Sequence, residues 1–410
     1  MMKERIISID ILRGFAVLGI LIMNIVSFSM PMMAYFNPYI HASSVYDHIL
    51  YCVGHVLADQ KFMAIFSMLF GASTILFIES IKKKGKSPLL LFYSRNFWLI
   101  VIGVLHSTYI WYGDVLLIYA TCSFILYFFK NLQSRTQFIL GFVIYFIPSF
   151  SNYLMETYLV NHLSIADEKV MMEMYHPTPA NINEEIQAMR GTYAQQLEYR
   201  SKMFEPNDEH KEGILGGAII GISFLIDLFA RSFGMMLIGM AWHHWGVFSN
   251  SRSFNFYKNM IKHGFSIGVP IAIIGLFLSY HHVWDWRYMQ YLGRLPNQIA
   301  TPFIAFAYVG LIMLLIRKDL FPPMLQKLSF VGKTALTSYL LQSVVATIIF
   351  YGFGLGLFGE VDRIGQLIVV FFIWWSLLVG CQWWMQKYKY GPVEWVWRCL
   401  TNLNIYQFKK

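Results

Sequence analysis

Apolar runs long enough to cross a lipid bilayer recur along this chain, and the short connections between them gather most of its lysines and arginines. Inside hydrocarbon no water is available to satisfy backbone N–H and C=O groups, so each such run must close its own hydrogen bonds as a helix. About 20 apolar residues reach across the ~30 Å core. Ten runs can be drawn, near 11–30, 60–80, 96–112, 114–130, 137–156, 217–246, 264–281, 298–316, 334–352 and 365–385. The sixth is too long for one straight span and is read as starting in an interfacial segment. A short apolar piece at 49–58 is expected to pack at the outer surface. The fold class is all-α, a polytopic membrane helix bundle of about ten transmembrane helices. Only 13% of the 410 residues are charged and 57% are hydrophobic, where a soluble domain carries about 25% charged residues.

The positive-inside rule orients the bundle. With the N-terminus in the cytoplasm, the inner segments hold Lys3, Arg5, Lys82, Lys83, Lys84, Lys86, Arg95 and the C-terminal lysines, and outnumber the outer ones by more than two to one. Both termini are therefore expected in the cytoplasm. Three regions follow: a five-span half over 1–156, an extracytoplasmic helical connection over 157–213 broken at Pro177, Pro179 and Pro206, and a second five-span half over 214–410. The net charge of +9 reads as topology, since no basic stripe interleaved with stacking aromatics suggests nucleic acid. Cys52, Cys122, Cys381 and Cys399 form no C-x-x-C pair and read as small buried hydrophobes. GLGLFG from Gly354 to Gly359 lacks a βαβ context and reads as a turn. The pairs His243–His244 and His281–His282 show no metal-ligand pattern, and no metal is expected.

Ionisable residues inside spanning helices are functional candidates by default. In the first run Asp10 and Arg13 lie three apart and share a face, and Asn24 follows eleven residues after Arg13. Eleven steps of about 100° bring Asn24 nearly above Arg13, about 16 Å along the helix. The plainer reading is an interfacial anchor with Arg13 snorkelling. Arg13, Lys82–Lys84, Lys86 and Arg95 form a basic set that suits a polyanionic cofactor or, more simply, anionic lipid. His55, Asp59, Gln60 and Lys61 read as an outer interfacial salt-bridge cluster. His106 and Asp114 flank a tight turn at Tyr112–Gly113. A carboxylate beside an imidazole orients the ring and raises its basicity; the alternative is a bond that locks the hairpin.

These stretches, IDILRGFAVLGILIMN, LADQKFMAIFSMLFG, GVLHSTYIWYGDVLLIYA, VGKTALTSYLLQSVVATIIFYGFGLGLFG and YGPVEWVWRCLT, resemble the YeiB-like bacterial membrane proteins, whose C-terminal part is the domain of unknown function 418. The resemblance implies a fold shared with transmembrane acyltransferases, including the lysosomal heparan glucosaminide N-acetyltransferase, and a bacterial plasma membrane as location. Bacterial sugar O-acyltransferases of the wider group have Arg, ten residues, then His in the first span; here Arg13 is followed by Asn24, which cannot act as a general base near neutral pH. The glucosaminide enzyme is similar in having Arg-then-Asn, with its catalytic His in the following loop, where YFNPYIHASS offers His41. The implied activity moves an acyl group from cytoplasmic acyl-CoA (acetyl-CoA) to an extracytoplasmic glycan or small molecule. Arg13, Asp10 and Arg95 would hold the cofactor; His41 or His106, with Asp114 and Asn24, would do the chemistry. A small-solute permease and a non-catalytic scaffold or sensor are the alternatives. The expected partners are the bilayer and the acceptor, and a homodimer stays open.

Overall fold

The computed structural model describes residues 6–41, 44–162, 164–202 and 214–410. Lys3, Arg5 and the connection at 203–213 lie outside the described residues. Among the described residues the regular structure is helical, with one isolated bridge between Tyr388 and Lys409. The helices are α1 (Ile7–Ser29), α2 (Val45–Leu57), α3 (Lys61–Lys82), α4 (Pro88–Tyr109), α5 (Leu116–Leu126), α6 (Ser134–His162), α7 (Ile165–Tyr175), α8 (Pro179–Arg190), α9 (Tyr193–Lys202), α10 (Ile214–His244), α11 (Phe254–His281), α12 (Trp286–Gln290), α13 (Leu295–Arg317), α14 (Pro322–Lys333), α15 (Ala335–Phe350), α16 (Arg363–Lys387) and α17 (Pro392–Asn402).

Among the described residues eight segments are long and apolar enough to cross a membrane, and the chain is a multi-pass membrane protein. Two of the ten expected spans differ in form. The ninth is broken: α14 meets α15 at 86°, with the bend at Thr334, so α15 alone spans only 16 residues. The fourth is a short apolar helix that ends in a 3-10 turn, Leu116–Phe129. The piece expected at 49–58 belongs to α2, which runs on in nearly the same direction as α3. Together they cover 38 residues, about 57 Å at 1.5 Å per residue. That exceeds the ~30 Å hydrocarbon core, so part of this segment projects beyond it.

α1 is the axis of the bundle. Its apolar window is 72% buried, against 28% for α4, α11 and α16, and it packs against α3, α13, α14, α15 and α16. Helices from the two halves of the chain interleave, since α3 and α6 both pack on α10. Glycines set three of these crossings, because lipid offers no hydrophobic drive and close approach must supply the contact. A Cβ on Gly332 would lie 1.8 Å from the Asp10 carbonyl oxygen, and one on Gly14 would lie 2.0 Å from that of Leu328. The α3–α10 crossing is built alike, with Gly71 against the Met236 carbonyl and Gly239 against that of Met68, both at 1.9 Å. Gly141 and Gly234 face each other between α6 and α10.

These crossings leave no room for a methyl group. Gly332→Ala and Gly239→Ala should each lower the melting temperature in detergent, by an amount matching the ~1–3 kcal/mol cost of overpacking. Gly380→Ala, whose methyl would meet nothing within 4 Å, should leave melting unchanged or raise it. Equal melting of all three variants would contradict the packing.

Candidate functional site

A cavity of ≈ 180 Å³ opens beside α1. Arg13, Arg95 and Lys333 line one region of it, together with Glu394. Arg13 donates to Asp10 Oδ1 at 3.1 Å and to the Ser73 hydroxyl, so α1 is tied to α3 where its charge must be answered. The Arg95 guanidinium lies between two aromatic rings, 4.8 Å from Phe77 and 4.6 Å from Trp397. It shares the electrostatic field of Arg13, with which it repels. Glu394 turns toward the start of α15: its oxygens accept from the Thr337 amide at 3.0 Å and the Thr337 hydroxyl at 2.5 Å. A carboxylate is favoured at a helix N-terminus, and burial pushes this carboxyl above its usual range.

Beyond the cations the walls turn apolar: Val17, Ile20, Phe66, Leu69, Phe70, Leu99, Leu116 and Leu336, with Tyr119 and Tyr339 supplying hydroxyls. Tyr119 donates to the Met63 carbonyl at 3.1 Å and accepts from Ser67 at 3.0 Å. The Tyr339 hydroxyl lies 3.4 Å from Asp114 Oδ1 and accepts from the Val115 amide at 3.3 Å. Behind it stands the pair expected around the α4–α5 turn. That turn is longer than two residues, since nothing from Ile110 to Val115 is helical. The slack lets Asp114 Oδ1 meet His106 Nδ1 at 2.8 Å while Oδ2 accepts the Leu117 amide at 2.8 Å and caps α5. An acidic partner at Nδ1 assigns a proton to that nitrogen. His106 is 1% exposed and its Nε2 has no hydrogen-bond partner. Neither His106 nor Asp114 lines the cavity; Tyr339, whose ring centroid is 5.3 Å from that of His106, does.

The structure therefore brings Asp10, Arg13 and Arg95 to the cavity region and sets His106 and Asp114 behind its wall. It does not bring Asn24 or His41 there. Asn24 continues the α1 stripe of Arg13, Val17 and Ile20 and is half-buried, one step past the last lining residue. His41 sits in the loop before α2 at φ +63°, with Nε2 2.5 Å from the Gly359 carbonyl oxygen. Lys333, Tyr339, Glu394 and Trp397 are not singled out as site residues by the sequence; they reach the cavity from the C-terminal half, more than two hundred residues after Arg13 and Arg95.

In the cluster that enters the second span, Asp59 and Lys61 are buried among neighbouring helices while His55 and Gln60 are half-buried. Lys61 is fully buried and donates to the side-chain Oδ1 of Asn297 and, at 2.7 Å, to the backbone carbonyl of His55. Asp59 accepts from Tyr35 and from Asn297, each at 2.8 Å, with His55 Nδ1 at 3.3 Å. Nearby, Arg231 of α10 pairs with Asp227 at 2.8 Å and lines a water-sized hollow with Gln60, Ser67, Tyr145 and Thr301. An i,i+4 ion pair inside an apolar run was the signal for this second pair. Among the described residues no three His, Cys, Asp or Glu side chains converge for a metal ion.

At the opposite end of α1, α8 and α9 cover the helix ends. The Met32 amide donates to Glu185 Oε1 at 2.9 Å, and burial pushes the Glu185 carboxyl up to about 7 from 4.5. A raised carboxyl binds its proton more tightly in the folded state, so its contribution is complete below pH 4.5 and is lost as pH rises through about 7. Glu185→Gln keeps an acceptor for Met32 and removes the titration. Its melting temperature should hold across this window while that of the parent falls relative to it, at ~2–4 °C per kcal/mol. Parallel pH profiles would contradict the assignment.

Residues 242–404, from the end of α10 through α17, match the family described as "Protein of unknown function (DUF418)". Along its whole length the chain is similar to three bacterial proteins. The uncharacterised protein YeiB of Escherichia coli (strain K12) is 28% identical over 410 residues, covering 97% of this chain and 96% of that protein. The uncharacterised protein YxaH of Bacillus subtilis (strain 168) is 27% identical, covering 98% and 95%. An uncharacterised 39.9 kDa protein from the amylase 3′ region of Bacillus acidopullulyticus is 26% identical, covering 98% and 94%. The DUF418 match takes in Lys333, Tyr339 and Glu394, while Arg13, Arg95, His106 and Asp114 fall in the part shared with the full-length relatives.

Proposed function

For a chain that belongs to the YeiB-like family with its C-terminal DUF418 region, we propose an acyltransferase of the bacterial plasma membrane that takes its acyl group from acyl-CoA on the basic, cytoplasmic face and passes it to a glycan or small molecule arriving from the other side. Both termini lie in the cytoplasm in this reading. The observation that carries it is the cavity: three cations and one carboxylate at one region, then an apolar passage ending on two tyrosine hydroxyls.

At ≈ 180 Å³ the cavity is smaller than the ~300–1,000 Å³ of pockets that enclose a drug-sized ligand. It suits a thin chain rather than a nucleotide. The phosphates would stay with Arg13, Arg95 and Lys333, where guanidinium groups can bind them bidentately. The pantetheine arm would lie along Val17, Ile20, Leu99 and Leu336, with the thioester beside Tyr119 and Tyr339. The acceptor's oxygen or nitrogen attacks the thioester carbonyl, the carbon–sulfur bond breaks, and the acceptor proton passes through Tyr339 to the Asp114–His106 pair before reaching the departing thiolate. His106 and Asp114 thus act through Tyr339 as positioning groups. His41 and Asn24 have no part in this reading, because neither lines the cavity.

The buried charges of Asp59 and Lys61 and the Asp227–Arg231 pair favour a second reading, a permease in which these charges line a solute path. The two separate on one experiment. In calorimetry on the detergent-solubilised protein, acetyl-CoA should bind; Arg13→Ala should weaken binding roughly 10- to 100-fold, the worth of a lost charge-assisted contact of ~1.5–3 kcal/mol. Lys83→Ala, on an exposed residue, should change it little. Tyr339→Phe should keep binding and lose transfer. In sealed vesicles, membrane-impermeant CoA should bind only when the face bearing Lys82–Lys86 meets the medium. No binding by the parent protein would remove the acyltransferase reading.

A further inference from the structure

Arg200 lies in the last turns of α9, under the cover that α8 and α9 form at the end of α1 opposite Arg13. It is 5% exposed, and its Nε, Nη1 and Nη2 all lack a hydrogen-bond partner. Its guanidinium carbon is 5.3 Å from the centroid of the Tyr351 ring. That contact attracts the charge, and the Tyr351 hydroxyl faces the guanidinium without a well-formed hydrogen bond. The Tyr351 hydroxyl beside it is buried and unpartnered as well.

A guanidinium keeps its charge at every physiological pH, so it cannot escape burial by losing a proton. Buried arginines are almost always paired, and an uncompensated one is among the costliest features a fold can carry. Two other buried arginines have partners: Arg231 pairs with Asp227 at 2.8 Å, and Arg363 donates to the Ala34 carbonyl at 2.9 Å. Among the described residues no carboxylate forms an ion pair with Arg200, although Glu185 acts on the same tyrosines. Tyr112 and Tyr199 share its neighbourhood as neutral phenols, and Glu185 is engaged by the Met32 amide.

We propose that Arg200 and the Tyr351 hydroxyl form an oxyanion site that takes the carboxylate or phosphate group of a small molecule on the face opposite the basic cavity. The site stands on its own, whether or not the cavity binds acyl-CoA. One oxyanion between the two would satisfy the guanidinium fork bidentately and accept from the phenol.

The test is thermal unfolding of the full-length protein in detergent, titrated at constant ionic strength with inorganic phosphate in one series and acetate in another. The parent's melting temperature should rise saturably with at least one of them, as expected of a ligand that binds only the folded state; which one identifies the group. Arg200→Met should melt higher than the parent without added anion, because it removes a buried unpaired charge, and should not respond to either anion. Tyr351→Phe should shift the half-saturating concentration about 10-fold upward, the loss of one hydrogen bond to an anion. A parent that responds to neither anion overturns the site, as does an Arg200→Met variant that melts lower yet keeps the response. If Arg200→Met does not fold, Tyr351→Phe decides: an unchanged anion response overturns the proposal.

Discussion

A cation on the most deeply buried helix of a membrane protein has to be answered inside the bundle, and much of this architecture follows from that demand at Arg13. Asp10, one turn earlier on the same helix, accepts one of its N–H groups, and Ser73 of α3 accepts another. Gly332 lets α14 press its backbone against α1 at Asp10, and the same approach brings Lys333 to the cavity. The 86° break between α14 and α15 then starts a new helix at the cavity wall, whose first amides are met by Glu394. A charge pair, a close glycine crossing and a broken helix thus meet at one place, and the cavity is the space they leave.

Among the described residues, three of the interior polar groupings differ in kind. Those at the cavity are arranged around open volume, with cations exceeding carboxylates on its lining. Those around Asp59, Lys61 and Asn297 are bonded to one another and leave room for little more than one water nearby. A satisfied network of that kind pins α3 to α13 and specifies register. The group under α8 and α9 is neither: Arg200 and Tyr351 are enclosed and unmet. Satisfied networks read as structure, and open or unmet ones as places for a ligand.

The sequence carried the helical fold because hydropathy and the backbone's needs in lipid leave few alternatives. It also carried contacts that close within one helix or one turn: Asp10 with Arg13 at three residues, His106 with Asp114 at eight. It did not carry the wall between that pair and the cavity, because Tyr339 arrives from α15, 225 residues after Asp114. Lys333 was illegible for a different reason, since a lysine beside an apolar run is ordinarily topology. The run at 334–352 hid its bend, since hydropathy reads through Thr334 without a break. The partner that ties Asp59 and Lys61 together, Asn297, arrives from α13, 238 and 236 residues later, beyond the reach of local spacing.

The central claim is that the cavity beside α1 holds the arm of an anionic carrier whose phosphates rest on Arg13, Arg95 and Lys333. Cryo-electron microscopy of the protein incubated with acetyl-CoA tests it most directly. The account predicts strong phosphate density among those three side chains and a thin continuous tail reaching Tyr339. An empty cavity at saturating acetyl-CoA, or density bound anywhere else on the molecule alone, would contradict it.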